Sequence, residues 1–142
     1  MSTGLQEAQV GRTFIGRLAT DTDLVEEIER FCADAGIQAA GVSAVGAMRR
    51  AAYAYYNQTT KQYKEMASPS HHELSGFVGN ISMREGRPFL HAHATFADIN
   101  GECVAGHLLK GCTVWVAEVE IRELVGVELV REHDELTGLA LW

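Results

Sequence analysis

Three histidines lie in the most apolar part of this 142-residue sequence. His91 and His93 flank a single alanine, and His107 follows in the short run Ala-Gly-His-Leu. Histidine is not the residue expected by default in an apolar stretch. Because imidazole ligates transition metals and titrates near neutral pH, three convergent rings would form a metal site or a proton-transfer site.

The segments that carry these histidines are predicted to form a β-hairpin. Residues 89–97 are short and apolar and follow Pro88, and residues 102–109 have the pattern of a return strand. On a strand, His91 and His93 share one face and lie roughly 6.6 Å apart.

The turn between the two strands decides whether His107 joins the pair. If Gly101 adopts the left-handed conformation, a three-residue loop follows Asp98, and His93 lies opposite His107 with Cβ atoms about 4.5–5.5 Å apart. A two-residue Asn100-Gly101 turn is the alternative, and it would send His107 to the other face. The metal prediction requires the three-residue loop.

A divalent metal, with zinc as the expected ion, is predicted at His91, His93 and His107. Three unrelated histidines, each with its own hydrogen bond, are the alternative. A three-histidine zinc site keeps one coordination position open, as catalytic sites do, although imidazole also suits iron, nickel and copper. Catalysis would further need an acid or base within reach. The candidates for that role, or for contacts around the ligands, are Glu73, Glu102, Glu118 and Glu120, and each could equally be a surface carboxylate.

Length and composition predict a single soluble domain over residues 1–142, with its core at about 12–139. No secretory signal is expected, because the first residues lack a basic region followed by an apolar stretch, and no apolar run is long enough for a membrane span. Its three cysteines are Cys32, Cys103 and Cys112. This odd number without CxxC spacing predicts reduced thiols and a cytoplasmic location, with Cys32 in the core.

The net charge of −7 argues against nucleic-acid binding, which usually requires a basic surface. The basic residues are scattered along the chain. A local patch after folding is the alternative, and it would have to overcome a repulsive overall field.

Periodicity predicts an α+β domain, a mostly antiparallel mixed sheet with one or two helices packed on it. A helix is expected after a cap within residues 20–23 and is expected to end at Gly36. A second helix could lie at residues 74–79 or in the tail. The predicted strands are 12–18, 37–45, 48–56, an edge strand near Tyr63, 74–83, 89–97, 102–109, 114–124 and 127–131.

Several finer expectations accompany these elements. Gly46 is expected to break the strand that contains it, and Trp115 is expected on the apolar face of residues 114–124. Because neighbours on an extended chain face opposite ways, His71 and His72 cannot easily bind one ion together, and both are interpreted as surface residues. The apolar tail, residues 139–142, is expected to pack on another surface, with a neighbouring subunit as one possibility.

An ordered set of motifs resembles the PPC domain, the plant-and-prokaryote conserved domain. The motifs are Gly-Val-Ser-Ala-Val-Gly at 41–46, Glu-Leu-Ser-Gly-Phe-Val-Gly-Asn-Ile-Ser at 73–82, His-Ala-His at 91–93, and Ala-Gly-His-Leu at 105–108 with Gly-Cys at 111–112. The resemblance implies an α+β homotrimer with a metal site at His91, His93 and His107. One departure is Ala105, which replaces the first glycine of a Gly-Gly-His motif.

The resemblance also brings a DNA-binding label, because in plants this domain follows AT-hook motifs. The nearest match to an AT-hook, Arg-Glu-Gly-Arg-Pro at 84–88, has an intruding glutamate and no basic flanks. We interpret it as a turn. The residues favour a metal-binding domain with a possible small-molecule ligand, which the resemblance implies to be homotrimeric, over a DNA-associated protein. A metal-dependent hydrolase or lyase ranks third.

Overall fold

The computed structural model describes residues 4–142, so the first three residues of the predicted 1–142 domain lie outside it. One helix packs on a seven-stranded antiparallel sheet, and two very short strands form a separate hairpin. The predicted α+β class is confirmed. The elements are β1 (Gln9–Arg17), α1 (Leu24–Ala35), β2 (Ala40–Asn57), β3 (Gln62–Ser68), β4 (His72–Arg84), β5 (Arg87–Ala97), β6 (Cys103–Leu108), β7 (Thr113–Val125), β8 (Glu132–His133) and β9 (Ala140–Leu141).

Helix α1 begins and ends where the sequence predicts. The Asp23 carboxylate accepts hydrogen bonds from the backbone N–H groups of Val25 (2.9 Å) and Glu26 (3.0 Å), which caps the first turn. Gly36 ends the helix in the left-handed conformation, with φ of 69°. Helix α1 is the one helix among residues 4–142, so neither predicted second helix is present. With 12 residues, α1 is too short to cross a membrane.

Strand β2 runs unbroken through Gly46, so the predicted break there is wrong. The pairing of β2 with β4 shifts between Ser43 and Gly46 because β4 contains a bulge at Ser75, while Gly46 itself stays in register with Ala117 of β7. A Cβ atom added to Gly46 would lie 2.0 Å from the carbonyl oxygen of Val116. Glycine is therefore required at this position because the backbones of β2 and β7 approach closely, and not because the strand stops.

A second bulge moves Trp115 off the apolar face of β7. Ala47 pairs with Val116 and Met48 with Val114, which leaves Trp115 as the extra residue between two pairs. Its side chain is 53% exposed, so its predicted place on the apolar face is wrong. The guanidinium of Arg49 lies over the Trp115 ring, 4.2 Å from its centroid.

The sheet order β1-β7-β2-β4-β5-β6 separates the core from the histidines. Strand β2 also pairs with β6, so β2, β4, β5 and β6 close on one another. Alternate residues of β5, from Leu90 to Phe96, are buried on the side that faces α1. His91 and His93 therefore point from the opposite face, which we call the outer face of the sheet.

The C-terminal segment packs beside β4 instead of extending the sheet as a strand at 127–131. Met83 exchanges backbone hydrogen bonds with Leu129 and Arg131, both 2.8 Å long, through one isolated bridge. The chain then forms the β8–β9 hairpin. The tail is held within this chain by Trp142, whose ring centroid lies 4.4 Å from the Arg131 guanidinium.

Candidate metal centre

The β5–β6 hairpin has the three-residue loop that the metal prediction requires. Gly101 has φ of 79° and donates to the carbonyl of Asp98 (3.0 Å). The Asp98 carboxylate accepts from the backbone N–H groups of Asn100 (2.8 Å) and Glu102 (2.9 Å). His93 consequently pairs with His107, and the two-residue turn is excluded.

The three imidazoles converge on the outer face. One nitrogen from each of His91, His93 and His107 lies within 4.8 Å of the other two. Nitrogens bound to a tetrahedral zinc ion are about 3.4 Å apart. Rotation of the side chains can bring the three histidine nitrogens from their present separation to that distance. Within residues 4–142, none of these three rings has a hydrogen-bond partner, whereas the ring of His72 has one. Convergent rings without partners are what a metal site requires, so the donor set fits a divalent ion.

The surroundings keep two of the rings in the form that binds metals. Burial, and then the charges of Arg131 and His93, lower the pKa of His91. Burial, and then His91, His93 and Arg131, lower the pKa of His107 to about 4. Metal binding requires neutral imidazole, so protons compete weakly for His107 above about pH 5.

The low pKa of His107 makes the metal-free protein sensitive to acid. The His107 side chain binds a proton near pH 6.5 in the unfolded chain and only near pH 4 in the folded chain. The contribution of neutral His107 to the free energy of unfolding is therefore fully present above pH 6.5 and is lost as the pH falls from 6.5 to 4. Between pH 7 and 5 we expect a loss on the order of 2 kcal/mol. Urea unfolding of the metal-free protein at both pH values measures it. A His107→Gln variant should show a smaller loss, and an equal loss would contradict the assignment.

Tyr63 is part of the site although the sequence pattern placed it only on an edge strand. Its ring lies against His107, with centroids 5.1 Å apart and planes tilted by 35°. The ring of a second tyrosine, Tyr56, packs against Tyr63, with ring centroids 4.8 Å apart. The contact crosses β2, and spacing along the chain contains no signal for it.

Arg131 is the other residue near the site that the sequence did not identify. It is 8% exposed, and its Nε donates to Ser82 Oγ (2.7 Å) while Nη2 donates to Asn80 Oδ1 (3.3 Å). Asn80 is the direct β4 partner of His91. Arg131 comes from the C-terminal segment, so only the tertiary fold brings it here.

The four candidate carboxylates are not brought to the histidines. Glu73 lies opposite Ala97, roughly 13 Å along the strand from His93, and Glu102 lies roughly 16 Å along the strand from His107. Glu120 lies in line with His93 across the sheet, through Ser43 and Val78, but β7 is three strands from β5, roughly 14 Å away. Glu118 is more distant. By strand register Glu65 comes nearer, two strands from His107.

The remaining predicted residues divide into buried and exposed groups. His72 is 7% exposed and its Nδ1 lies 2.7 Å from the Ser70 carbonyl, so its surface assignment is wrong, whereas His71 is exposed. Cys32 and Cys112 are buried, and burial raises the pKa of each thiol, to about 12 and about 11. Cys103 is exposed.

The segment that resembles an AT-hook is the tight turn between β4 and β5. Arg84 pairs with Arg87, and the two central residues, Glu85 and Gly86, have φ of 52° and 75°. Positive φ at both central positions is the geometry of a two-residue hairpin turn. The interpretation of this segment as a turn is confirmed.

Comparison with known proteins places this geometry in a family. The model of the Plants and Prokaryotes Conserved (PCC) domain matches residues 5–125. A solved structure of a metal-containing protein from Archaeoglobus fulgidus is 38% identical, with a TM-score of 0.94 over 99% of each chain. A plant- and prokaryote-conserved (PPC) protein from Pyrococcus horikoshii is 33% identical, with a TM-score of 0.92 over 100% of this chain and 96% of that one.

Two further relatives carry different names. A protein from Ralstonia eutropha, named "putative DNA-binding protein", is 26% identical with a TM-score of 0.79 over 89% of this chain and 88% of that one. A bifunctional protein GlmU from Synechococcus is 30% identical over 129 residues, which is 89% of this chain and 20% of that protein. The chain thus spans about a fifth of that relative. From the family match and the full-length structural relatives, the chain belongs to the Plants and Prokaryotes Conserved domain family, written PCC or PPC.

Proposed function

We propose that this protein is a homotrimeric metal-binding PPC domain in which His91, His93 and His107 hold one divalent ion, with zinc as the expected metal. The observation that carries the proposal is the convergence of three rings without hydrogen-bond partners on one face of a single hairpin. The relative from Archaeoglobus fulgidus, which is named as metal-containing, supports it.

Ligand binding is the role that we favour for the site. Three histidines leave one coordination position of a zinc ion open to a small molecule. Hydrolytic or lyase chemistry would also need an acid or base within hydrogen-bond reach, and the candidate glutamates of the described chain lie away from the rings. We therefore rank catalysis below binding. The three unpaired cysteines suggest a cytoplasmic location.

Metal content tests the proposal directly. We expect about one zinc ion per chain by elemental analysis of protein purified without a histidine tag. Metal-free protein should regain the ion after incubation with zinc and gel filtration. Protein that retains none of zinc, cobalt, nickel, iron or copper after such incubation would refute the metal site.

The outer face of the sheet is the surface that we propose for trimer formation. Ile15, Val45 and Val78 are 82%, 56% and 77% exposed on the face that carries His93. Large apolar side chains grouped on one exposed face indicate contact with another protein surface. Copies of this chain are the occupant we propose.

Replacing Val78 by aspartate is expected to convert the trimer to monomer. A charge within the proposed contact would have to be desolvated without a partner, which is costly. Sedimentation velocity at micromolar concentration should show trimer for the original protein and for Ile99→Asp, because Ile99 is 97% exposed in the β5–β6 turn. A monomeric original protein, or a trimeric Val78→Asp variant, would contradict this surface.

DNA association is the second candidate, and it is favoured by the name of the Ralstonia eutropha relative. The net charge of −7 opposes it, because nonspecific DNA affinity comes mainly from cations that neutralise phosphates. We expect no shifted band in a gel-shift assay at physiological salt. Salt-sensitive binding there would restore this candidate.

A further inference from the structure

We propose that the open coordination position of the three-histidine site binds a small anion, an oxyanion or a carboxylate, and that Arg131 is the residue that selects for its negative charge. This inference rests on the metal site proposed above.

The first observation is that Arg131 is a buried cation without an acidic partner. Its side-chain nitrogens donate to three neutral acceptors, Ser82 Oγ, Asn80 Oδ1 and the carbonyl of Ala140. Within residues 4–142 no carboxylate lies within 4.0 Å of it, since none of the ion pairs there includes Arg131. Arginine is almost never fully buried unless it is paired, and the contacts of Arg131 with the rings of Trp142 and Phe89 stabilise the cation without cancelling its charge.

The second observation is the position of this charge beside the histidines. Asn80, which accepts from Arg131, lies directly opposite His91 across β4 and β5. The next outward-facing pair of these strands is Ser82 with Phe89, and the guanidinium lies 5.3 Å from the Phe89 ring centroid. Arg131 therefore spans two rows of the outer face, one of which contains a metal ligand.

A second cation adds to the same region. The guanidinium of Arg84 lies 5.2 Å from the Phe89 ring centroid, so two arginines contact one aromatic ring. Positive charge is thus concentrated here in a chain whose net charge is −7. Like charges at short range are unfavourable unless an opposite charge joins them.

The neutral charge of the histidine ligands also favours an anion at the open position. Imidazole ligands carry no charge when they bind a metal, so three of them leave both positive charges of the ion uncompensated. Many zinc sites use thiolate or carboxylate ligands that cancel this charge. Here the nearest carboxylate by register is Glu65, two strands from His107, roughly 10 Å away. An anion in the open position would compensate the ion and Arg131 together.

Cobalt substitution tests the proposal with a spectroscopic readout. The protein would be loaded with Co²⁺, and its visible absorption would be followed during titration with acetate, inorganic phosphate and, as the neutral match for acetate, acetamide. We expect saturable spectral changes with the two anions and none with acetamide. Cobalt affinity would be measured separately by competition with a chelator.

Variants separate the charge of Arg131 from its packing. Arg131→Gln should weaken anion binding about tenfold, because one positive charge near the site is removed. It should leave cobalt affinity unchanged or raise it, because that charge repels the ion. Arg87→Gln removes the same charge from an exposed position and should change neither. If Arg131→Gln does not fold, the exposed Arg84 provides the second variant, and Arg84→Gln should weaken anion binding at least twofold.

The possible outcomes are distinguishable. Protein that takes up no cobalt overturns the metal site and the anion proposal together. Cobalt uptake without a response to anions, or with an equal response to acetamide, overturns the anion proposal alone. Anion affinity that Arg131→Gln leaves unchanged, or a parallel loss of cobalt and anion binding, overturns the role of Arg131. An Arg84→Gln variant with unchanged anion affinity overturns it where the first variant does not fold.

Discussion

Replacing His93 by alanine is expected to abolish stoichiometric metal binding. His93 is the central histidine of the proposed site, because it lies directly opposite His107 and two residues from His91 on the same face. Removing an outer-shell partner of a metal site already costs about 10–100-fold in affinity, so removing a ligand should cost more than about a hundredfold. Elemental analysis after zinc incubation and gel filtration measures the loss.

The matched control for this prediction is His71→Ala. His71 is exposed and lies outside the three-histidine cluster, so its removal should leave one metal ion per chain. The His93 side chain is exposed in the single chain, so metal-free His93→Ala should still fold, which far-UV circular dichroism measures. A variant that binds zinc as tightly as the original protein would show that these rings are not the ligands.

The local part of this site could be predicted from the sequence because its geometry is determined by a short segment. Asp98 and Gly101 supply the side-chain acceptor and the positive φ that a three-residue loop requires, and this loop fixes the register. Once the register is fixed, the two-residue period of a strand places His91, His93 and His107 on one face. Helix α1 was equally predictable, because Asp23 and Gly36 act on their own neighbours.

The features that sequence reasoning missed depend on contacts between distant segments. The close approach at Gly46 and the bulge at Trp115 arise where β2 meets β7, and neither residue reveals which strand will lie beside it. Tyr63 reaches His107 across an intervening strand, and Arg131 arrives from the tail. After burial, Arg131 also contributes to the lowered pKa of His91 and His107, and this contribution depends on the tertiary fold.

Gly106→Ala is expected to destabilise the protein and to weaken metal binding. A Cβ atom at this position would lie 2.5 Å from the backbone carbonyl oxygen of Ala54, which belongs to the strand that pairs with β6. Backbone cannot move aside as a side-chain end can, so β6 must shift, at a cost of about 1–3 kcal/mol. The shift displaces His107, the next residue, and metal affinity should fall with stability in urea unfolding and chelator competition.

The adjacent alanine gives the control and explains why this chain tolerates its departure from Gly-Gly-His. Ala105 is exposed, so its methyl group does not crowd the hairpin, and Ala105→Gly should cost roughly 0.5–1 kcal/mol from backbone entropy alone. Its metal affinity should match that of the original protein. If Ala105→Gly and Gly106→Ala weakened metal binding equally, close approach of β6 to β2 could not be what holds His107 in place. If only Gly106→Ala weakened it, the second glycine of the motif would be the one that the metal site requires, because it lies against the backbone of Ala54.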